Sequence, residues 1–506
     1  MKGTERENPG FDAVVGNPPY GNLGDINYLR VSFPITRKNL DVYVAFIEQA
    51  LAISARQGWV SYIIPVAWQT GINYAAVRQR LLDKSRIYKF INLPFDVFPE
   101  AYIDTCVVVL QNAPPANDAT TRVFTFPKKA KVDDLSLLTY QYVRQADWQG
   151  GKGTIVASPS QLSFLRKLEE AHLTQGLGKL TDSARGVLAG PSDIADEPSG
   201  HAWKPFFDGE FNRYVMDVPH RYVRYGDNLQ EHPALFDFFD GERLLIRRLV
   251  NRQDRLMATV ATETFVNKKD IYNFKVTSPA YHTLFLLAAV NSPLLSFAYL
   301  QQDVAATKDD FRQTTLEGLR TLPIRCIAFT TPEKERTQLL DKGKKLYERC
   351  LAKGDQACVL GFVEHALKQI PEQADVVHDL LAFLAEQMIE ANKAKQAEVK
   401  GFLGWLEREI GAKVDDLKNK TKLKYYHDGT FEVLLEVLKE NHRAFSVNPS
   451  ERKFQDRLAR EYTDSLAKLG PLKTRLEATD RLIDQIVYRL YGLTEEEVKL
   501  VEGKSS

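Results

Sequence analysis

The sequence predicts an α/β domain over residues 1–149, a mixed α/β domain over 150–329 and a mainly α-helical region over 330–506. Three observations predict this. Up to residue 115, short β-branched runs alternate with amphipathic stretches, the pattern of strands joined by helices. Between 150 and 325, glycine is frequent and aromatics interleave with arginines, which suits short, irregular strands. Beyond 330, apolar residues recur at helical spacing among many charges, as in Val377, Leu380, Leu381, Leu384 and Met388.

The first strand, 11–16, is FDAVVG and runs directly into Asn17-Pro18-Pro19-Tyr20. A polar loop over 22–39 precedes a helix over 41–55, whose apolar face is Val42, Val44, Ala45, Ile47, Ala50 and Leu51 and which Gln57-Gly58 ends. A buried strand over 59–64 closes at Pro65, and an amphipathic helix follows over 70–83. Residues 86–92 form a strand, 94–100 a loop and 104–110 a strongly β-branched strand. This alternation predicts a mostly parallel sheet covered on both faces. Ligands of such sheets bind beyond the carboxyl ends of the strands, where the 17–20 turn and the 95–98 loop both lie. After a break at 112–121, residues 122–150 read as a small extension with one strand over 122–126.

In the middle domain, Arg213, Arg221, Arg224, Arg247 and Arg248 lie close in sequence to Trp203, Phe206, Phe207, Tyr214, Tyr222 and Tyr225. Guanidinium groups bind phosphates or guanine edges and aromatics pack or stack, although a partly exposed β-domain with ordinary surface charge has the same composition. An apolar helix over 284–299, interrupted by Asn291-Ser292-Pro293, closes this domain. In the last region, Thr331-Pro332 reads as a helix N-cap followed by proline at the first helical position. Leu482, Ile483, Ile486, Val487 and Leu490 make a second apolar stripe, Gly492 suits a helix C-cap, and Thr494 to Glu497 reads as a capping box. Lys418, Lys420, Lys422 and Lys424, followed by Tyr425-Tyr426, are a basic run that reads first as a solvated face and second as a DNA-backbone contact.

Composition bounds the class. With 44% hydrophobic and 26% charged residues over 506 positions, this is an ordinary globular chain of about two to four domains. The net charge of +1 means that a nucleic-acid site has to be a local patch. Cys106, Cys326, Cys350 and Cys358 have no C-x-x-C spacing, which argues for a reducing, cytoplasmic setting and against a structural zinc. The apolar run 284–290 is far short of a membrane span, and the amino-terminal residues have no apolar signal segment.

The 17–20 turn carries the chemistry. Two prolines fix φ and donate nothing, so the Pro18 carbonyl has a set direction beside the Asn17 side-chain oxygen. A planar –NH2 placed there can donate one hydrogen to each, with Tyr20 covering its ring. A Pro-Pro pair at a strand end is also a plain turn, or a proline-rich ligand for an aromatic groove.

Taken together, the chain resembles the C-terminal part of the γ-class N6-adenine DNA methyltransferases of restriction–modification systems. It is most similar to fused restriction–methylation enzymes with a TaqI-like specificity domain. The resemblance rests on NPPY at 17–20, DVYVAFIEQAL at 41–51 with GWVSYIIPVAW at 58–68, and FDVFPEAYIDTCVVVL at 95–110. It rests further on ARGVLAGPSD at 184–193, KPFFDGEFNRY at 204–214, GERLLIRR at 241–248, LAAVNSPL at 287–294, LRTLPI at 319–324 and the closing IDQIVYRLYGLTEEE. It implies a partial, Rossmann-like methyltransferase sheet, then a target-recognition domain, then helices. It also implies site-specific adenine-N6 methylation of double-stranded DNA with S-adenosylmethionine, the adenine being flipped out. Asn17, Pro18, Pro19 and Tyr20 would form the catalytic turn, Tyr20 and Phe98 would contact the base, and no metal would be needed. Arg213, Arg221, Arg224, Arg247 and Arg248 would supply DNA contacts.

One departure is large. The class carries a Gly-rich cofactor motif and an acidic ribose-binding residue upstream of NPPY, whereas only ten residues precede Phe11 here. The expectation is a truncated chain or one half of a split enzyme, partnered by an N-terminal methyltransferase half or a nuclease-bearing chain, with its cofactor-binding residues unassigned. The rival readings are a non-catalytic DNA-specificity or scaffold subunit and, ranked lower, a glutamine- or guanine-amine methyltransferase.

Overall fold

The computed structural model describes residues 9–21, 33, 41–94, 97–98, 104–126, 130–132, 134–148, 155, 158–170, 172–251, 253–302 and 313–503. The first sheet has six strands: β1 (Phe11–Gly16), β2 (Ser54–Pro65), β3 (Arg86–Asn92), β4 (Thr105–Gln111), β5 (Thr120–Thr125) and β6 (Gln141–Arg144), in the order β1-β2-β4-β3-β5-β6. Helix α1 (Val42–Ile53) carries the chain from β1 to a parallel β2. A short turn of helix, Ala67–Thr70, a 3-10 turn, Ile72–Tyr74, and helix α2 (Ala75–Lys84) carry it from β2 to β3.

The sheet is mixed, not mostly parallel. Two pairings, β1 with β2 and β3 with β5, are parallel, and the three others are antiparallel. The helical crossover lands β3 two positions from β2. No helix is described in the link over 93–104, so the chain doubles back and β4 enters the open slot antiparallel to both neighbours. The two-sided cover also differs from expectation. Along β2, Val60, Tyr62 and Ile64 are buried while Trp59 is exposed and Ser61 and Ile63 are half-buried. The alternation is that of a sheet with one packed face and, among the described residues, one partly open face. Residues 120–144 supply two strands, not one, and both join this sheet.

Local boundaries moved for identifiable reasons. Strand β2 starts at Ser54, before the expected 59, because the chain bulges: Phe11 pairs with Ser54 but Ala13 with Trp59, and Gln57 sits at φ 66°. The expected helix over 70–83 is broken at Gly71. Thr331 is not an N-cap. Its N–H and hydroxyl donate to the Asp375 carboxylate, and Pro332 is the cap of helix α6 (Glu333–Lys353).

The middle of the chain begins with helix α3 (Pro159–Glu169) and β7 (Thr174–Gly176). One four-stranded sheet has β8 (Thr181–Arg185) at an edge, beside β15 (Ile271–Val276), β12 (Arg243–Arg247) and β13 (Ala258–Ala261). The other is ordered β14-β10-β11-β9, from Val266–Asn267, Trp203–Phe207, Arg221–Arg224 and Ile194–Ala195. Strand β16 (Pro323–Arg325) pairs with β7. The apolar helix is two helices, α4 (Thr283–Val290) and α5 (Pro293–Gln302), bent by 67° at the break. Among the described residues, no single helix is long and apolar enough to cross a membrane.

Helices α7 (Ala357–Leu367), α8 (Ala374–Ile410), α9 (Phe431–Glu440), α10 (Arg452–Leu490) and α11 (Glu495–Val501) complete the chain. Gly492 at φ 62° follows α10, and Thr494 and Glu497 form the capping box of α11. The long helices α8 and α10 lie side by side. One pair of ends shares a core with α4, α5 and the β8-β15-β12-β13 sheet; the other pair holds a separate core around Phe402, Leu438, Phe454 and Leu458.

Candidate active site

The Asn17–Tyr20 turn leaves the carboxyl end of β1 with Pro18 buried, Tyr20 half-buried, and Asn17 and Pro19 exposed. The Tyr20 hydroxyl pins it. Its hydrogen is shared between Asn17 Oδ1 at 2.7 Å and the Ile63 carbonyl of β2 at 3.0 Å. Burial first and Cys106 second push the Tyr20 phenol up to about 12, so it stays a neutral donor. An amide oxygen has two lone pairs, so Asn17 Oδ1 keeps one acceptor position free of Tyr20. The far end of the turn is tied as well: Val42 N–H, at the start of α1, donates to the Gly21 carbonyl at 3.1 Å. Asp41 beside it accepts from the Tyr74 hydroxyl at 2.6 Å.

The floor is rigid and unreactive. Gly16 faces Tyr62, whose ring carbon would lie 3.2 Å from an added Cβ. Cys106 is fully buried and accepts from Trp68 Nε1 at 3.3 Å, and burial pushes its thiol up to about 12. Arg78, also buried, spends Nη1 on the carbonyls of Trp68 at 3.2 Å and Gly71 at 2.7 Å, fixing the segment after β2. Gln69 donates to Asn92 Oδ1 at 2.7 Å, bridging the ends of β2 and β3. Arg78, Gln69 and the Ile63 carbonyl were not expected from sequence. Each acts through a contact between elements that the tertiary fold brings together, which spacing along the chain does not encode.

Phe98 is half-buried at the carboxyl-end side of β3, and among the described residues no ring contact joins it to Tyr20. The flanking positions 95, 96, 99 and 100, and positions 22–25 of the GNLGD stretch, lie outside the described residues.

The five arginines do not gather in one place. Arg213 donates to the Asn291 carbonyl and to Asp480 on α10. Arg221 bridges Asp196 and Asp208, both at 3.0 Å. Arg224 donates through Nη2 to Asp193 at 2.8 Å. Arg247 holds the Phe211 carbonyl and Glu210, and Arg248 holds Asp270 and Gln313. In the lysine run, Lys420 and Lys424 both reach Asp415 and Tyr426 is buried, as a solvated face with an apolar anchor would be.

Comparison with known proteins bears on both regions. Residues 2–98 match the family Eco57I restriction-modification methylase, residues 204–324 the TaqI-like C-terminal specificity domain, and residues 376–487 a domain of unknown function (DUF8810). The chain is 34% identical over 323 residues to a putative type II restriction enzyme and methyltransferase, RM.MjaORFECS2P of Methanocaldococcus jannaschii, covering 62% of this chain and 27% of that protein. It is 27% identical over 141 residues to the type II restriction enzyme and methyltransferase RM.Eco57I of Escherichia coli, covering 26% of this chain and 14% of that one. The chain therefore spans about a quarter or less of the length of these relatives. Among solved structures it is similar to the type IIL restriction-modification enzyme MmeI in complex with DNA, at 8% identity and TM-score 0.44 over 73% of this chain and 53% of that one. Residues 2–98 thus resemble a restriction–modification methylase segment and residues 204–324 a TaqI-like specificity segment, in the same order along the chain.

Proposed function

We propose that this chain supplies the amine-activating turn and the target-recognition face of an adenine-N6 DNA methyltransferase that uses S-adenosylmethionine and flips its base out of the duplex. In this proposal residues 1–149 are the catalytic segment, 150–329 the recognition domain and 330–506 its helical support. The observation that carries the reading is the Asn17–Tyr20 turn at a strand's carboxyl end, with Asn17 exposed and its amide held by Tyr20.

Adenine N6 is a poor nucleophile because its lone pair is delocalised into the ring. Asn17 Oδ1 and the Pro18 carbonyl accept from the two N6 hydrogens and draw the nitrogen towards a tetrahedral shape with a localised lone pair. Pro19 holds that carbonyl's direction, and Tyr20 and Phe98 bracket the base. Fixed acceptors aimed at developing positive charge are worth several kcal/mol in such sites, by analogy with oxyanion holes. S-adenosylmethionine, when bound, supplies a methyl group on a sulfonium. The exposed side of Asn17 and the open edge of β1 leave room for it, while no residue described here is assigned to its ribose or methionine. Among the described residues strand β1 pairs only with β2, and Phe11 and Val15 are 61% and 78% exposed. An apolar edge of this kind invites further strands, and a partner segment carrying the cofactor site is proposed to add there. The five arginines are proposed to position or read DNA.

The test is calorimetric titration with S-adenosylmethionine together with a methyl-transfer assay on duplex DNA, with the methylated nucleoside identified. Weak cofactor binding by the chain alone, restored together with N6-methyladenine formation by a strand-bearing partner segment, is the expected result. Asn17→Ala should then abolish transfer without unfolding the chain. Methylation at cytosine or on protein would overturn the adenine reading, and tight binding with turnover by the chain alone would overturn the partner.

A further inference from the structure

The five arginines differ in what they have left to give. Arg213, Arg221, Arg247 and Arg248 each commit two guanidinium nitrogens to internal acceptors. Arg224 commits one hydrogen of Nη2, and its Nε and Nη1 have no partner among the described residues, so the second Nη2 hydrogen can still pair with one of them as a two-pronged edge. Its side chain is 49% exposed, against 41% for Arg221 and 16% for Arg247.

Strand register then separates Arg224 from Arg221. In the β10–β11 ladder Trp203 lies opposite Arg224 and Pro205 opposite Tyr222, while Phe206 lies opposite Arg221. Opposed residues share a face and neighbours along a strand alternate, so Arg221 and Arg224, three apart, lie on opposite faces. Arg221 shares its face with Phe206 and Val223, which are packed into a core with Val187, Leu229 and Phe239. Arg224 shares the other face with Trp203, Pro205 and Tyr222, all at least partly exposed. The result is an exposed arginine on the same strand face as Trp203 and Tyr222.

Arg224 is also braced. Asp193 Oδ1 accepts from Arg224 Nη2 and from Asn228 Nδ2, each at 2.8 Å, and Asn228 donates back to the Arg224 carbonyl at 2.9 Å. The Asp193 side chain is only 9% exposed, and the Arg224 hydrogen bond, above all, holds its carboxyl below the usual range. A carboxylate brace cancels much of the charge that would attract a phosphate. It does not weaken the geometry that a neutral base edge requires, where a guanidinium must present two N–H groups in plane to guanine O6 and N7.

We infer that Arg224 reads a guanine edge in duplex DNA, with Asp193 and Asn228 as its positioning residues and Trp203 and Tyr222 beside it. This rests on the DNA-recognition reading proposed above.

The experiment uses the full chain and a fluorescent pool of random-sequence duplexes, with the bound fraction sequenced and each variant's melting checked. The wild-type chain should show a sequence preference. Arg224→Ala should lose it at one base pair, by about 5- to 150-fold in discrimination, and Arg224→Lys should not restore it because an ammonium cannot present the fork. Asp193→Asn should lose part of the same preference at the same position without a change in salt dependence, and Lys275→Gln should change nothing. The inference is overturned if Arg224→Ala leaves every position's preference intact, or if it weakens all sequences equally and lowers the salt slope by about one, the mark of a phosphate contact. It also falls if the wild-type chain binds duplex with no preference, although DNA binding then survives. A wild-type chain that binds no duplex at all defeats the DNA reading itself.

Discussion

Strand β1 and helix α4 are both short apolar runs, and they meet opposite fates. In α4, Phe285, Leu286, Leu287 and Val290 are completely buried, packed beneath β12 and β13 and against α8. In β1, Val15 is 78% exposed and, among the described residues, the strand pairs on one side only. An apolar run states what it gains by burial, but the gain appears only where another part of the molecule covers it. Stability and interaction potential are therefore divided between regions: α4 holds the fold together, and β1 is, among the described residues, an unfilled edge beside the Asn17–Tyr20 turn.

Five substitutions would break or sharpen that contrast. Phe285→Ala should cost about 3–5 kcal/mol in urea unfolding, as large-to-small changes in closed cores do. Val15→Ala should cost under about 0.5 kcal/mol, as exposed positions do. Equal losses would mean that β1 is covered after all.

A smaller effect comes from the polar cluster at the carboxyl end of α4. There Arg213 and Arg255 both donate to the Asn291 carbonyl, close to Asp480 and Asp484 of α10. Burial pushes the Asp484 carboxyl up to about 7 against the pull of Arg255, with Asp480, Arg213 and Glu502 acting more weakly. The folded state then keeps a proton that the unfolded chain releases near pH 4. Stability from this group should be complete below about pH 4 and should fall as pH rises to about 7, by roughly 2–4 kcal/mol. Asp484→Asn should flatten that slope in denaturation midpoints taken at pH 5 and pH 8, and an unchanged slope would remove Asp484 as its source.

Gly186→Ala tests how tightly the chain leaving β8 packs against the stretch between β14 and β15. A Cβ there would lie 2.2 Å from the carbonyl oxygens of both Asn267 and Lys268, and backbone cannot step aside cheaply. A loss of about 1–3 kcal/mol in thermal or urea unfolding is expected. Tyr20→Phe, at the β1 end, removes the shared hydrogen bond to Asn17 and Ile63. It should cost only about 1 kcal/mol of stability, while loosening the amide that the proposed chemistry needs. A stability loss as large as that of Phe285→Ala would make the turn a structural centre and not a poised one.

Much of the fold was legible in sequence because it is local. The α10–α11 boundary follows from Gly492 and from the Thr494–Glu497 capping box, whose bonds form within four residues. The break between α4 and α5 follows from Asn291-Ser292-Pro293. The two strands over 120–144 were half-seen, because Gln141–Arg144 is short, polar and mostly exposed and carries little β signal. Of the candidate site, the Asn17–Tyr20 turn was legible as a motif. The partners of the five arginines were not, because Asp193, Asp208, Glu210, Asp270 and Asp480 reach them through strand register and helix packing.

By itself the sequence determined which residues seek burial, where helices begin and end, and which turn carries rigid, aimed acceptors, since each depends on side chains a few positions apart. Only the tertiary structure decided that β4 enters antiparallel between β2 and β3, that β1 is an edge among the described residues, and that Arg221 is held by two aspartates while Arg224, on the other face of β11, is held by one. Those outcomes depend on which distant strand lies alongside and in what register, and a shift of one residue exchanges the two faces of a strand.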